Sequence, residues 1–278
     1  MFVDAFGRVL ADESLDGSLK ALALSLPAEK VLGQEMKVVD VDGIHRARRF
    51  VLRTLAEAHE STLRSVYDSN HDAGPYRNDK ASIDRRRLKN TALAYLSVLE
   101  SEEVVELLRT QFAQATNMTD SEAALSLLAN TDHPARAEAL AAFYERWSGE
   151  PLVVDKWFMV QAMSCLPGTL AHVKELLKHE AFTLSNPNRI RSLVGAFAAG
   201  NQVRFHDASG AGYELLADIV LELDALNPQV TSRIVSAFNQ WKRFDEGRRA
   251  SMQGQLERIR ANEKLSRDVF EIVSKALD

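Results

Sequence analysis

The amino-acid sequence predicts an all-α fold, an irregular α-solenoid or superhelix of about 14–16 antiparallel helices. Apolar residues recur at helical spacing through almost all of the 278 residues. No stretch shows the strict alternation of apolar and polar residues that is typical of a half-buried strand. The turns between helices are short, and no repeat with a shared consensus is visible, so the array is expected to be irregular.

Hydrophobic periodicity and turn signals place the elements of the N-terminal half. The predicted helices are 2–10, 19–26, 28–36, 42–70, 82–100 and one capped by Ser101. Thr119-Asp120-Ser121-Glu122 has the pattern of a capping box for the next helix. The turn-rich stretch 71–79 is the one candidate for a break in what is otherwise expected to be a single domain over residues 1–278.

The C-terminal half is predicted from the same signals. Its helices are one begun by His133-Pro134, one over 153–163, one from Gly168, two begun by Asn-Pro pairs, one over 213–226, one over 245–261 and one capped by Ser266. The β-branched residues near Val153 suit a strand as well, but the continuation through Met163 favours a buried helix.

Composition excludes several classes of protein. The net charge of -5 argues against a dedicated nucleic-acid binder. Cys165 is the single cysteine, so no disulfide can form within the chain, which fits a reducing compartment. The first residues lack the pattern of a signal peptide, and no apolar run is long enough to span a membrane. These features predict a protein without membrane or nucleic-acid partners.

Two helix starts share an unusual pattern. Asn186-Pro187 and Asn227-Pro228 each place a preferred N-cap residue before a proline at the first helical position. Cations are mildly disfavoured at this positive end of the helix dipole. Arg189 and Arg191 nevertheless follow the first pair. The pattern indicates that these guanidinium groups are needed in particular directions.

Helical geometry separates the polar groups from the buried stripe of each helix. Arg191 lies about 100° to one side of the apolar residues in the first helix. Gln229 and Arg233 are four residues apart, so they share one face beside the stripe of the second helix. The alternative interpretation is that all of these are solvated side chains at a surface rim.

The sequence contains no complete catalytic motif. His59-Glu60 and His179-Glu180 begin like the zinc motif His-Glu-x-x-His, but Leu63 and Thr183 stand where the second histidine would be. His206, with Asp207 and Ser209 nearby, is better interpreted as a loop residue than as part of a triad, and Cys165 as a small core residue. No metal or cofactor is expected to be bound by this chain.

Four motifs in order resemble a known family. They are Asn117-Met118-Thr119-Asp120, Asp155-Lys156-Trp157-Phe158, Ser185-Asn186-Pro187-Asn188-Arg189-Ile190-Arg191-Ser192-Leu193 and Asn227-Pro228-Gln229-Val230-Thr231-Ser232-Arg233. With these motifs, the whole chain resembles the C-terminal helical domain of the bacterial aminopeptidase N family, which are gluzincin zinc aminopeptidases. The resemblance implies a helical superhelix that closes a chamber over an upstream catalytic domain.

The resemblance also implies a division of function. In this family the zinc motif and the motif that holds the free amino terminus lie upstream, so this chain is expected to be a fragment that is inactive alone. The parent enzyme is a cytoplasmic zinc exopeptidase that releases N-terminal residues from peptides. By match to the family motifs, Arg191, Gln229 and Arg233 line the chamber near the bound peptide. The expected partners are therefore the catalytic domain and short peptides.

A different class of function is open from the residues alone. Basic clusters such as Arg85-Arg86-Arg87 lie on helix faces. A free-standing helical-repeat scaffold could use such faces to bind a protein partner, as solenoids do.

Overall fold

A computed structural model describes residues 1–72 and 74–278. These residues form seventeen α-helices: α1 (Phe2–Ala11), α2 (Gly17–Ala23), α3 (Glu29–Gln34), α4 (Val41–Ala58), α5 (Glu60–Ser69), α6 (Lys80–Ser97), α7 (Glu102–Gln114), α8 (Met118–Leu128), α9 (Ala135–Trp147), α10 (Pro151–Ala162), α11 (Thr169–Leu176), α12 (Pro187–Ile190), α13 (Gln202–Phe205), α14 (Ala211–Leu223), α15 (Pro228–Val235), α16 (Glu246–Arg260) and α17 (Arg267–Leu277).

The remaining helical segments are of other types. A π-helix, Arg191–Gly200, continues directly from α12, and short 3-10 turns form at Ser236–Phe238 and Trp241–Arg243. Within the described ranges no strand forms, and the β-bridge between Val39 and Phe244 is isolated. The predicted all-α fold is confirmed.

The predicted long helix 42–70 is wrong in one respect, because it is divided at His59. This residue has φ -124° and ψ 19°, and it separates α4 from α5. Its Nε2 lies 2.9 Å from the carbonyl oxygen of Val3, and its ring lies 5.5 Å from that of Phe6. The contacts with α1 hold the imidazole in place at the break, and helical periodicity alone does not register such a tertiary contact.

The predicted capping box at Thr119 is also wrong. Asn117 is the N-cap of α8, and its Oδ1 accepts a hydrogen bond of 3.0 Å from the backbone N–H of Asp120. Thr119 already lies inside the helix. Asn is as good an N-cap as Ser or Thr, so two candidate caps two residues apart compete in this sequence.

The chain divides into two compact units, with boundaries between α2 and α3, inside α4 and inside α9. The first unit contains residues 1–27 and 45–143, and the second contains 28–44 and 144–278. The stretch 71–79, of which Ala73 lies outside the described residues, connects α5 to α6 within the first unit. The single domain over residues 1–278 stays a prediction.

A buried ion pair lies in the core of the first unit. Lys89 Nζ is 2.8 Å from Asp120 Oδ2, and the two side chains are only 4% and 8% exposed. Burial by itself raises the pKa of Asp120, but hydrogen bonds from Lys89, Asn117 and Asn90 outweigh it, so the pKa lies below its usual value. The pair joins α6 to the start of α8.

An aromatic core fills the second unit. Phe205 lies edge-on to Phe197 and to Tyr213, with ring centroids 5.9 and 5.3 Å apart. Phe205, Tyr213 and Phe238 are fully buried. The core thereby joins the π-helix, α13, α14 and the turn after α15.

The segment 28–44 is attached to residues about two hundred positions later. Arg243 Nη2 donates to the carbonyl oxygens of Gly33, Gln34 and Met36 at 3.0, 3.0 and 2.6 Å, so a cation satisfies the C-terminal end of α3. Arg248 pairs with Asp42 at 2.7 Å. These bonds place α3 against the 3-10 turn Trp241–Arg243 and the start of α16.

Candidate functional site

The first Asn-Pro start folds as its residue types require. Asn186 Oδ1 accepts hydrogen bonds from the backbone N–H groups of Asn188 at 3.0 Å and Arg189 at 3.4 Å. Pro187 occupies the first position of α12, where a missing N–H costs nothing. The predicted cap is confirmed. Because it sets the residue at which the helix begins, it also sets the direction in which each following arginine points.

Arg189 points into the protein rather than into solvent. Its side chain is 8% exposed, and Nη1 lies 2.7 Å from Asp155 Oδ1 and donates to the carbonyl oxygen of Pro151 at 3.3 Å. The guanidinium also lies 5.2 Å from the ring centroid of Phe158. The interpretation of Arg189 as a solvated rim residue is therefore wrong: it joins α12 to α10.

Arg191 is exposed at the junction of α12 and the π-helix. Its Nη1 donates to Asn188 Oδ1 at 3.1 Å, which turns the side chain back along its own helix. No carboxylate among the described residues pairs with it. The guanidinium keeps further hydrogen-bond donors, and its role in binding a peptide stays a prediction.

The second Asn-Pro start repeats the arrangement. Asn227 Oδ1 accepts from the backbone N–H of Val230 at 3.1 Å, and Pro228 opens α15. Val230 and Ile234 are buried, while Gln229 and Arg233 are exposed on the face beside them. Within the described part of the chain, neither exposed side chain has a hydrogen-bond or ion-pair partner.

The two helices that begin at these caps contact each other. A Cβ placed on Gly195 of the π-helix would lie 3.4 Å from Ile234 Cδ1 and 3.8 Å from Arg191 Cβ. Arg191 therefore lies one turn before the contact on one helix, and Arg233 lies next to Ile234 on the other. Sequence positions 191 and 233 are thus brought to neighbouring helices.

A cavity of about 280 Å³ lies beside this contact, within the second unit. Its walls come from α3, the π-helix, α13, α15 and the residues that follow α15. Arg233 lines the cavity, whereas Arg191 and Gln229 do not. No local sequence pattern indicates this cavity, because α3 is brought to it by bonds from Arg243, more than two hundred residues later.

Small residues of the π-helix leave the space for the cavity. Gly195, Ala198 and Ala199 form one wall. A π-helix is wider than an α-helix and often occurs at functional sites. The site therefore combines a wall of small side chains with a rim of polar and charged ones.

His206 is the buried titratable group of the cavity. Its side chain stacks on Phe244 at 4.3 Å, and its Nδ1 lies 3.0 Å from the Tyr213 hydroxyl. Burial, together with the positive charges of Arg248 and Lys30, lowers the pKa of His206 to about 3. The imidazole is consequently neutral at physiological pH.

The arrangement around His206 is not a catalytic triad. Asp207 accepts hydrogen bonds from Ser209, whose backbone N–H lies 3.0 Å from its Oδ1, and the imidazole bonds to Tyr213 instead. The interpretation of these residues as loop and capping groups is confirmed. A neutral histidine with a tyrosine partner can orient or hydrogen-bond a ligand.

The incomplete zinc motifs are structural in both places. The His179 ring packs against Tyr144 and Trp157, with centroids 4.9 and 5.0 Å away, and its Nδ1 accepts from the N–H of Ala181. His59 contacts α1, as described above. Across residues 1–72 and 74–278, no three His, Cys, Asp or Glu side chains come together as metal ligands.

The described helices have no membrane-spanning candidate. None of them combines the length and the apolar composition that crossing a bilayer requires.

Comparison with known proteins identifies close relatives. The chain is 38% identical to aminopeptidase N of Escherichia coli over 274 residues and 38% identical to that of Caulobacter vibrioides over 276 residues. These matches cover 99% of this chain but only 31% and 32% of the relatives. The chain thus spans about a third of the length of the curated relatives it matches.

A solved structure has the same fold. The crystal structure of Legionella pneumophila aminopeptidase A in complex with aspartic acid superposes with a TM-score of 0.92 at 30% sequence identity, covering 100% of this chain and 33% of that one. Residues 1–278 also match the family described as "Domain of unknown function (DUF3458_C) ARM repeats". The chain therefore belongs to this ARM-repeat family and is homologous to the C-terminal part of aminopeptidase N.

Proposed function

We propose that the chain is the lid domain of a cytoplasmic zinc aminopeptidase that releases N-terminal amino acids from peptides. The observation that carries the proposal is the coverage of the matches. Nearly the whole chain aligns with aminopeptidase N, yet two thirds of each relative lies outside the alignment. The zinc and the groups that perform hydrolysis belong to that other part, which is the partner of this chain in the parent enzyme.

In this role the chain closes a chamber and contacts the peptide. Arg191, Gln229 and Arg233 are exposed, and no carboxylate among the described residues neutralises the two arginines. They can therefore bind the carbonyl oxygens and the C-terminal carboxylate of a short peptide. Charge-assisted hydrogen bonds of this kind contribute about 1.5–3 kcal/mol each.

The experiment is to replace Arg233 by Ala in the full-length enzyme and to compare two substrates. A tripeptide reaches beyond the cleaved bond, whereas an aminoacyl arylamide has no C-terminal carboxylate. We expect kcat/KM for the tripeptide to fall roughly tenfold to a hundredfold, with little change for the arylamide. Gln229→Ala and Arg191→Ala should show the same selectivity.

Arg249→Ala is the matched control, because Arg249 is an exposed arginine of α16 in the same unit, away from the cavity lining. Arg249→Ala should leave kcat/KM unchanged for both substrates. An equal fall for tripeptide and arylamide with Arg233→Ala, or no fall at all, contradicts the peptide-contacting role.

A second candidate is a helical scaffold that binds a protein partner, which the description of the family as ARM repeats favours. A binding experiment with this chain distinguishes the two candidate functions. Capture of one defined partner at a stoichiometric ratio, together with a coding sequence that has no peptidase domain upstream, would support the scaffold.

A further inference from the structure

The cavity contains a buried hydrogen-bonding group without a partner. The His206 residue is 4% exposed and lines the cavity. Its Nδ1 has the Tyr213 hydroxyl 3.0 Å away, but its Nε2 has no hydrogen-bond partner among the described residues. Because His206 lines the cavity, this nitrogen is available to hydrogen-bond a ligand there.

Tyr213 determines which nitrogen of His206 has the proton. Tyr213 is fully buried, and burial raises the pKa of its hydroxyl, so the phenol keeps its hydrogen. Within the described part of the chain, the only group in reach of that hydroxyl is His206 Nδ1. The hydroxyl therefore donates to Nδ1, and the neutral imidazole has its proton on Nε2. His206 Nε2 is consequently a hydrogen-bond donor to a ligand in the cavity, not an acceptor.

The charges around the cavity favour an anion. Lys30, Arg233 and Arg243 line it, against the single carboxylate of Glu29. Arg243 already serves the carbonyl groups at the end of α3. Lys30 and Arg233 have no ion-pair partner in residues 1–72 and 74–278, so both charges are available to a ligand.

The size of the cavity limits the ligand. A volume of about 280 Å³ is slightly below the usual range for drug-sized ligands. The wall of Gly195, Ala198 and Ala199 offers apolar surface but no hydrogen-bonding side chains. A ligand with one acidic group and a small body fits these walls.

We propose that this cavity binds the carboxylate of a ligand the size of a free amino acid, with His206 Nε2 donating a hydrogen bond and Lys30 and Arg233 providing the positive charge. Tyr213 is a positioning residue in this site, since it fixes the tautomer of His206 without touching the ligand. The proposal goes beyond the contact with peptides and does not depend on peptidase activity.

The test uses the whole chain with ¹⁵N-labelled histidine and follows the ring nitrogens by NMR. Before ligand is added, His206 should show a protonated Nε2. L-Alanine should shift the Nε2 signal in a saturable way, whereas L-alaninamide at equal ionic strength should not, because it lacks the carboxylate. Sodium phosphate is the third probe. Binding of alaninamide equal to that of alanine, or tighter binding of phosphate, would overturn the assignment of the ligand.

Two exposed variants test the charges without risk to the fold. Lys30→Gln and Arg233→Gln should each weaken binding of L-alanine at least roughly threefold, because a cation near the carboxylate is lost. Lys242→Gln is the control, since Lys242 is exposed near the same turn but does not line the cavity. Equal affinity in all three variants contradicts the site.

Tyr213→Phe tests the tautomer. Without the hydroxyl, the proton of His206 can move to Nδ1, so the Nε2 signal should change and affinity should fall roughly tenfold. Tyr144→Phe removes a hydroxyl that bonds to Glu180 elsewhere in the unit and should change neither. If Tyr213→Phe does not fold, the ring signals of the unmodified chain still decide, because a protonated Nδ1 there refutes the argument.

Discussion

Arg189 and Arg191 are two residues apart, yet the structure gives them different environments. Arg189 is buried against Asp155 and Phe158, whereas Arg191 is exposed at the start of the π-helix. Helical geometry predicts that the two side chains point in different directions, but it does not predict which of them points into the core. That distinction requires α10, which the sequence places about thirty-five residues earlier.

Loss of Asp155 should destabilise the protein strongly. Asp155→Ala leaves the Arg189 guanidinium buried without its counter-ion, which costs about 3–5 kcal/mol in typical buried pairs. Asp218→Ala removes the partner of Arg258 in an exposed pair, in which the arginine is 40% and the aspartate 58% exposed. Its loss should lower the free energy of unfolding by less than about 1 kcal/mol. Urea unfolding of both variants measures the difference, and similar losses would contradict a buried role for the Arg189 pair.

The Lys89–Asp120 pair should make stability depend on acidity. The folded state holds the pKa of Asp120 below the usual 3.8, so the unfolded state binds the proton more readily. The stability that the pair contributes is therefore present above pH 3.8 and is lost as the pH falls through the folded-state pKa. Urea unfolding from about pH 6 to about pH 3 should show the difference between wild type and Asp120→Asn shrinking at the acid end. A constant difference would exclude this linkage.

At the scale of elements, the chain signals most helix starts locally. Asn186, Asn227, Asp245 and Ser266 each accept the hydrogen bond that their residue type predicts for an N-cap. The capping box at Thr119 failed because Asn117, two residues earlier, is an equally good local cap. The long helix 42–70 failed because of a contact between elements. His59 breaks a helix because it bonds to α1, which is more than fifty residues away.

The candidate site was only partly predictable for the same reason. Gln229 and Arg233 share a face because they are four residues apart, and this follows from helix geometry alone. The cavity beside them needs α3, which Arg243 binds from a position 207 to 210 residues away. No local sequence pattern predicts that Arg243 binds the end of α3.

Two glycines should respond in opposite ways to substitution by alanine. A Cβ on Gly212 in the first turn of α14 would lie 2.5 Å from the carbonyl oxygen of Phe205, so the backbone must shift, at a cost of about 1–3 kcal/mol. Gly254 lies inside α16 with nothing within 4 Å of a Cβ, so alanine should stabilise this helix by roughly 0.5–1 kcal/mol. Thermal unfolding of both variants gives the signs. A stable Gly212→Ala protein would show that the approach to Phe205 is not rigid.

At the scale of the whole molecule, the chain covers only 31% and 32% of the aminopeptidase N relatives that it matches. The relation therefore predicts that activity depends on another part of the parent enzyme. The same relation predicts that the folded state of this chain does not require a bound metal ion.

The chain by itself should not hydrolyse an aminoacyl arylamide, with or without added zinc. A chelator should leave its melting temperature unchanged, because no side chains are expected to lose a structural metal. The full-length enzyme, treated in parallel, should lose activity on chelation and regain it with zinc. Clear turnover by the chain alone, or a lower melting temperature with chelator, would refute the assignment of the metal to the other part.

The bonds from Arg243 to residues 33–36 have a consequence for biosynthesis. Residues 28–44 leave the ribosome long before the arginine that holds them, since the bonded positions are separated by up to 210 residues. At a synthesis rate of about 5–20 residues per second, this segment waits roughly 10–40 s for its partner. The second unit can therefore be completed only after Arg243 has been synthesised, whereas the first unit needs no residue beyond 143.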